Sequence, residues 1–141
     1  MIGKLQTNKV KLAVQIFDYI HSVDSEKLAK KIAEEQLKIN KKIKIFLQVN
    51  IGDENQKSGA NKNDIQKLVF LCNDLQLEVI GLMCIPPVNL DPNKYFIDMK
   101  ELSETFGFTE LSMGMSSDYM LAVKNNSTYV RIGSSIFGQR S

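Results

Sequence analysis

The sequence predicts an α/β fold built on parallel strands, and three observations carry that prediction. Short β-branched runs alternate along the whole chain with longer segments of helical period. The clearest short run, Ile43 to Asn50, is apolar almost throughout, as a strand covered on both faces must be. Helix-length segments separate successive runs, which is what right-handed crossovers between parallel strands require.

The elements follow in order. Ile2-Gly3 reads as the stub of a strand. Val10, Ala13, Val14 and Phe17 share one helical face, and Tyr19 to Val23 is the next strand. Leu28, Ala29, Ile32, Ala33 and Leu37 form an apolar stripe, opened by Asp24 or Ser25 as cap. After the strand at Ile43, Ile65, Leu68, Val69, Cys72 and Leu75 form a third stripe, with Asn63 or Asp64 as cap. Cys72 therefore reads as core, not as a nucleophile. Leu77 to Ile85 is a strand ended by Pro86-Pro87, which cannot continue a ladder. Tyr95, Phe96, Met99, Leu102 and Phe106 form a helix opened by Asp91-Pro92, a cap followed by proline at the first helical position. A strand around Leu111-Ser112-Met113, a short helix at Tyr119, Met120, Ala122 and Val123, and a strand over Thr128 to Gly133 complete the series.

That makes six strand–helix units in a single domain over residues 1–141, with no internal repeat and no linker. Six strands suit an open doubly wound sheet. A complete (β/α)8 barrel takes about 250 residues, with roughly 200 near the minimum. The pattern alone favours the open sheet.

Composition excludes several function classes. Hydrophobic content of 43% and charged content of 24% are ordinary for a globular protein. Net charge is only +2, but residues 1–70 hold 13 Lys+Arg against 8 Asp+Glu, whereas residues 71–141 hold 5 against 8. The excess, mainly Lys27, Lys30, Lys31, Lys38, Lys41, Lys42 and Lys44, has no aromatic or Arg interleaving. It reads as a solvated helix face and not as a nucleic-acid surface. Two cysteines, Cys72 and Cys84, make neither a disulfide framework nor a metal spacing, and one His argues against a His-based metal site. No run is long and apolar enough to span a membrane, and the N-terminus lacks the apolar stretch of an export signal. Cytoplasm is the expected location.

Chemistry in either architecture belongs at the carboxyl ends of the strands. Two of those ends stand out: Ser112-Met113-Gly114-Met115-Ser116-Ser117 and Arg131-Ile132-Gly133-Ser134-Ser135. Glycine lets backbone approach a ligand closely, and serine hydroxyls and helix-start N–H groups favour an anion. Barrels often bind phosphate in the loops after their last two strands. The two stretches together read as a phosphate cup, although a Gly/Ser turn is also simply a turn. Arg131 lies inside an apolar run, where a charge is costly unless paired. It either snorkels or pairs within the core, or it is aimed at a ligand. Glu54 to Gly59 is a polar loop over the mouth or an ordinary helix-initiating connection. His21, in a strand, has no Ser/Asp partner marked by spacing, so a hydrolase triad is not expected.

Several stretches resemble the signature blocks of the pyridoxal 5′-phosphate (PLP) homeostasis protein family. They are Ile2-Gly3-Lys4-Leu5-Gln6-Thr7-Asn8-Lys9, His21-Ser22-Val23-Asp24-Ser25, Gln48-Val49-Asn50 with Glu54 and Lys57-Ser58-Gly59, Gly81 to Pro86, Leu111 to Ser116 with Asp118, and Val130 to Gly138. The resemblance spans the chain in order. It implies a partial (β/α)8 barrel like the N-terminal domain of alanine racemase, with about six of eight βα units. It implies PLP as cofactor, with Ser112, Gly114, Met115 and Ser116 lining the phosphate site and Gly133 and Ser134 at the phosphate. It implies Arg131 against the pyridine nitrogen, which weakens the ring as an electron sink. The family is thought to buffer or deliver PLP to apoenzymes and not to turn over a substrate.

In the family the Ile-Gly-x-Leu-Gln block falls at the third barrel strand, and the PLP-linking lysine at the end of the first. The chain therefore reads as N-terminally truncated, without a counterpart of that lysine, and PLP binding is expected to be non-covalent and impaired. Lys4, Lys9 and Lys57 do not take the role; Lys57 matches a different family position. Two other functions compete. One is a PLP-independent interaction or structural protein. The other is an enzyme on an open sheet that uses the Ser/Gly loops for a phosphorylated substrate, with Asp24 as its acid/base.

Overall fold

A computed structural model describes residues 1–54 and 58–138. Asn55, Gln56 and Lys57, and with them part of the polar loop expected over the mouth, lie outside the described residues.

The elements run β1 (Tyr19–Val23), α2 (Glu26–Lys38), β2 (Lys44–Val49), α3 (Lys62–Asp74), β3 (Glu78–Cys84), α4 (Pro92–Thr105), β4 (Glu110–Met115), α5 (Tyr119–Lys124), β5 (Tyr129–Arg131) and α6 (Ser134–Phe137), preceded by α1 (Val10–Ile16). The five strands form one parallel sheet in the order β1-β2-β3-β4-β5. An open doubly wound sheet reverses its order at a switch point. This one never does, so each crossover turns the same way and the sheet curls into part of a barrel. The open sheet favoured by the strand count thus gives way to the partial barrel that the resemblance implied, with five strands in the sheet where about six were expected.

The expected strand at Ile2-Gly3 is not a ladder member but runs beside β1. The N-terminal ammonium donates to Tyr19 O at 2.6 Å, His21 N donates to Met1 O at 2.9 Å, and Ser22 Oγ donates to Gly3 O at 2.7 Å. These bonds occupy an edge that would otherwise offer unpaired backbone groups.

Helix termini follow from their residues. Ser25 is the N-cap of α2, accepting from Leu28 N at 3.4 Å, and Asp91 caps α4, accepting from Asn93 N at 3.0 Å, with Pro92 entering the first turn. For α3 the expected caps Asn63 and Asp64 lie inside the helix, and Asn61 holds the cap position. Leu37, expected on the buried stripe of α2, is 82% exposed. Glu35 and Gln36 are buried instead, Glu35 between Lys31 and Lys38 and Gln36 as acceptor for Ile43 N at 3.2 Å. At helical period the buried face runs through Leu28, Ile32, Glu35 and Gln36, and Leu37 falls on the opposite side.

The core lies between the sheet and α1–α4. Ile20, Ile32, Ile45, Leu47, Ile65, Leu82 and Met99 are fully buried, each worth about 1.5–3 kcal/mol relative to exposure. Cys72 is buried among them as expected. On the concave side, an aromatic column crosses the sheet. Tyr19 and Tyr129 have ring centroids 6.0 Å apart, and Phe46 meets the Tyr129 edge at 5.2 Å.

Candidate functional site

Strand irregularities aim the side chains of the mouth. The register between β1 and β2 slips between Ile20 and Val23, and that between β4 and β5 slips between Ser112 and Met115. Such bulges redirect individual side chains and are frequent beside functional sites. The first carries His21, and the second carries Gly114.

The inner part of the mouth is built around Arg131, the last residue of β5. It is 9% exposed. Its Nη1 donates to Ser112 Oγ on β4 at 2.9 Å, and its Nη2 donates to Cys84 O at the end of β3 at 2.7 Å. Ser112 Oγ also lies 2.8 Å from His21 Nδ1 on β1, so four strands meet at one point. Arg131 can only donate, so its bond takes a lone pair of Ser112. The serine hydrogen is then available to His21 Nδ1 in the tautomer that carries its proton on Nε2. Burial, the N-terminal ammonium and Arg131 push the His21 pKa down to about 4. Burial also lowers the Arg131 pKa, yet a guanidinium stays charged at any ordinary pH. Among the described residues no carboxylate forms an ion pair with it.

The outer part is formed by the loops after β4 and β5. Ser116 Oγ accepts from Gly133 N at 3.2 Å and from Ser135 N at 3.3 Å. Two backbone donors therefore converge on one oxygen. A Cβ built on Gly133 meets nothing within 4 Å, so its open face looks onto free space. Gly133, Ser134 and Ser135 are exposed.

The seven residues singled out from the sequence thus separate into three groups. Ser112 and Arg131 meet in the interior, and Ser116 and Gly133 meet at the surface, with Ser134 adjoining them at the first position of α6. Gly114 faces elsewhere. Its φ is +92°, and a Cβ there would come within 2.6 Å of Ala122 Cβ, so the glycine lets α5 pack closely on β4. Met115 is 42% exposed, and its N–H donates to Asp118 Oδ1 at 2.6 Å, closing the turn into α5. Sequence reasoning marked no partner for His21, whose Ser112 is 91 residues away, and did not single out the Cys84 carbonyl, which carries no side-chain signal; Ser135 lay within the second Ser/Gly stretch. Asp24 lines a different hollow of about 420 Å³, with Gly59, Asn61, Asp64 and Lys67.

The buried thiols are not reactive: burial pushes both Cys72 and Cys84 up to about 12. Among the described residues no group of three or more His, Cys, Asp or Glu side chains forms a metal site. No helix among them is long and apolar enough to cross a membrane.

Comparison with known proteins agrees with this architecture. The family described as "Alanine racemase, N-terminal domain" matches residues 1–141. The chain is similar to the pyridoxal phosphate homeostasis protein of Aquifex aeolicus, 36% identical over 149 residues covering 99% of this chain and 65% of that protein. It is equally similar to that of Synechocystis sp., 36% identical over 152 residues covering 68% of that protein. The first relatives found are covered over 63–68% of their length. Among solved structures, PipY of Synechococcus elongatus PCC7942 with PLP bound superposes with a TM-score of 0.88 at 35% identity, covering 96% of this chain and 68% of that one. Alanine racemase of Clostridium difficile shares the fold alone, at a TM-score of 0.74 and 15% identity.

Proposed function

The chain belongs to the pyridoxal phosphate homeostasis protein family, and on that premise we propose that it binds PLP non-covalently and serves in holding or delivering it to apoenzymes within the cell. One observation carries the reading. Arg131 is a buried cation whose hydrogen-bond partners are both neutral, and two backbone N–H groups that follow it in the chain converge on a single oxygen. A buried charge that no carboxylate pairs directly is costly, and Asp118 acts on Arg131 only from a distance. A flat heterocycle with a ring-nitrogen acceptor and a dianionic phosphate meets the donors at both positions.

The residues fit PLP in detail. Gly133 leaves open space where a Cβ would stand, and the Gly133 and Ser135 N–H groups accommodate phosphate oxygen in place of the Ser116 hydroxyl. Ser134 adds a hydroxyl beside them. Ser112 acts indirectly, by holding Arg131, while Gly114 and Met115 shape the β4 turn that carries Ser116. When bound, PLP supplies an aldehyde and an electron-accepting ring. Arg131 has donors only, so it leaves the ring nitrogen an acceptor and does not protonate it. A ring held so is a weak electron sink, which favours binding over turnover. The chain acts as a binding protein and not as an enzyme.

The test is titration of the purified chain with PLP, followed by absorbance, with inorganic phosphate as competitor. Saturable binding that phosphate reverses is expected, with no protein-bound pyridoxyl group after borohydride treatment. Absence of binding at millimolar PLP overturns the reading, and a reduced adduct mapped to a lysine of this chain overturns its non-covalent character.

A further inference from the structure

We infer that His21 is a positioning residue, which fixes the Ser112 hydroxyl as an acceptor and thereby sets the direction of the Arg131 guanidinium. The inference rests on the PLP reading of Arg131 and deepens it.

Of the two partners of Arg131, the Cys84 carbonyl is held by the β3 ladder and cannot turn. The Ser112 hydroxyl is different, because it rotates and can present either its hydrogen or a lone pair. Facing a guanidinium, only the lone pair is productive. His21 Nδ1, 2.8 Å from Ser112 Oγ, takes the hydrogen and leaves the lone pair toward Arg131 Nη1 at 2.9 Å. Ser112 is wholly buried, so water does not do this in place of His21.

His21 itself has little freedom. Its ring stacks on Phe46 with centroids 4.3 Å apart at 24°, and meets the edge of Tyr129 at 5.5 Å and 73°. Its backbone N–H donates to Met1 O, and the slip in β1 register falls at this segment. A histidine kept only to fill the core has no need of Nδ1 on a serine that already serves a cation. Burial keeps the ring neutral, as an acceptor at Nδ1 requires.

The experiment compares wild type with His21→Leu, His21→Asn and Arg131→Ala, reading PLP affinity and the absorbance band of bound PLP. Asn places a side-chain amide near the Nδ1 position; Leu keeps the volume and removes the bond. His21→Leu is expected to weaken PLP by about three- to tenfold, the loss of one ordinary hydrogen bond's worth of orientation, and to shift the band in the same direction as Arg131→Ala. His21→Asn is expected to stay within about threefold of wild type with an unshifted band. Wild-type affinity and band in His21→Leu, with loss in Arg131→Ala, overturns the role of His21 and leaves the PLP reading standing. No loss in Arg131→Ala overturns both. Should His21→Leu fail to fold, nitrogen NMR of the wild-type imidazole decides: an unprotonated Nδ1 supports the inference, and a protonated Nδ1 overturns it.

Discussion

The inner and outer parts of the mouth solve different problems with the same residue types. In the interior, Arg131, Ser112, His21 and the Cys84 carbonyl are joined by polar contacts between protein groups. At the rim, Ser116 merely occupies two backbone donors that solvent or an anion can take over. The interior is organised before any ligand arrives, and removing one member leaves the others unsatisfied. The rim is exchangeable, and under the proposed function its members would serve a ligand without supporting the fold. Stability and binding should therefore come apart at the rim and move together in the interior.

The largest expected separation is at Gly133. Gly133→Val puts a branched side chain into the open space of the cup and should weaken PLP by at least about tenfold, the loss of charge-assisted contacts to phosphate. Its thermal midpoint should stay near wild type, because a Cβ at this exposed position meets nothing in the free protein. A matching fall in stability would break the comparison. Arg131→Ala comes next. It should weaken PLP by about tenfold and also cost about 1–3 kcal/mol in urea unfolding, since the Cys84 carbonyl and Ser112 lose their donor.

A pH series sharpens the same contrast. His21 holds its proton less well in the folded protein, at about 4, than in the unfolded chain, near the ordinary 6.5. The unfolded state therefore binds more protons between those values, and stability should fall as pH drops from about 6.5 toward 4. Urea midpoints at intervals across that window would measure the fall, and His21→Leu should flatten it. The paired Glu35, depressed to about 2 by Lys31 and Lys38, adds a second loss at lower pH, between its ordinary range near 4.5 and about 2. The smallest effect belongs to Ser116→Ala. Water can take both exposed N–H groups, so stability should change by no more than about 0.5 kcal/mol while phosphate still competes with PLP.

Much of the fold was legible because periodicity is local. Each strand and each main helix lies where its apolar run falls, and Asp91-Pro92 marked the start of α4. Sheet order was not legible in periodicity, since a doubly wound sheet and a barrel are assembled from the same βα unit and differ only in which neighbour each strand takes; the resemblance alone pointed to the barrel. Leu37 misled because a stripe read from apolar residues alone gives no weight to Gln36, which turns inward to meet the Ile43 N–H. In the site, Arg131 announced itself as a charge within an apolar run, and Ser116 and Gly133 as small residues after late strands. Gly114 carried the same signal for another reason, the close approach of α5. His21 gave none, because its meaning lies in a contact made across the barrel.

The unbroken order of the sheet bears on how the protein is made. Each strand pairs with the one synthesised next, so every ladder can close as soon as one further βα unit has left the ribosome, with little loop entropy to overcome. The link from His21 to Ser112, by contrast, joins residues 91 apart and must wait for β4. Translation thus lays down the scaffold progressively and leaves the wiring of its interior to a late step.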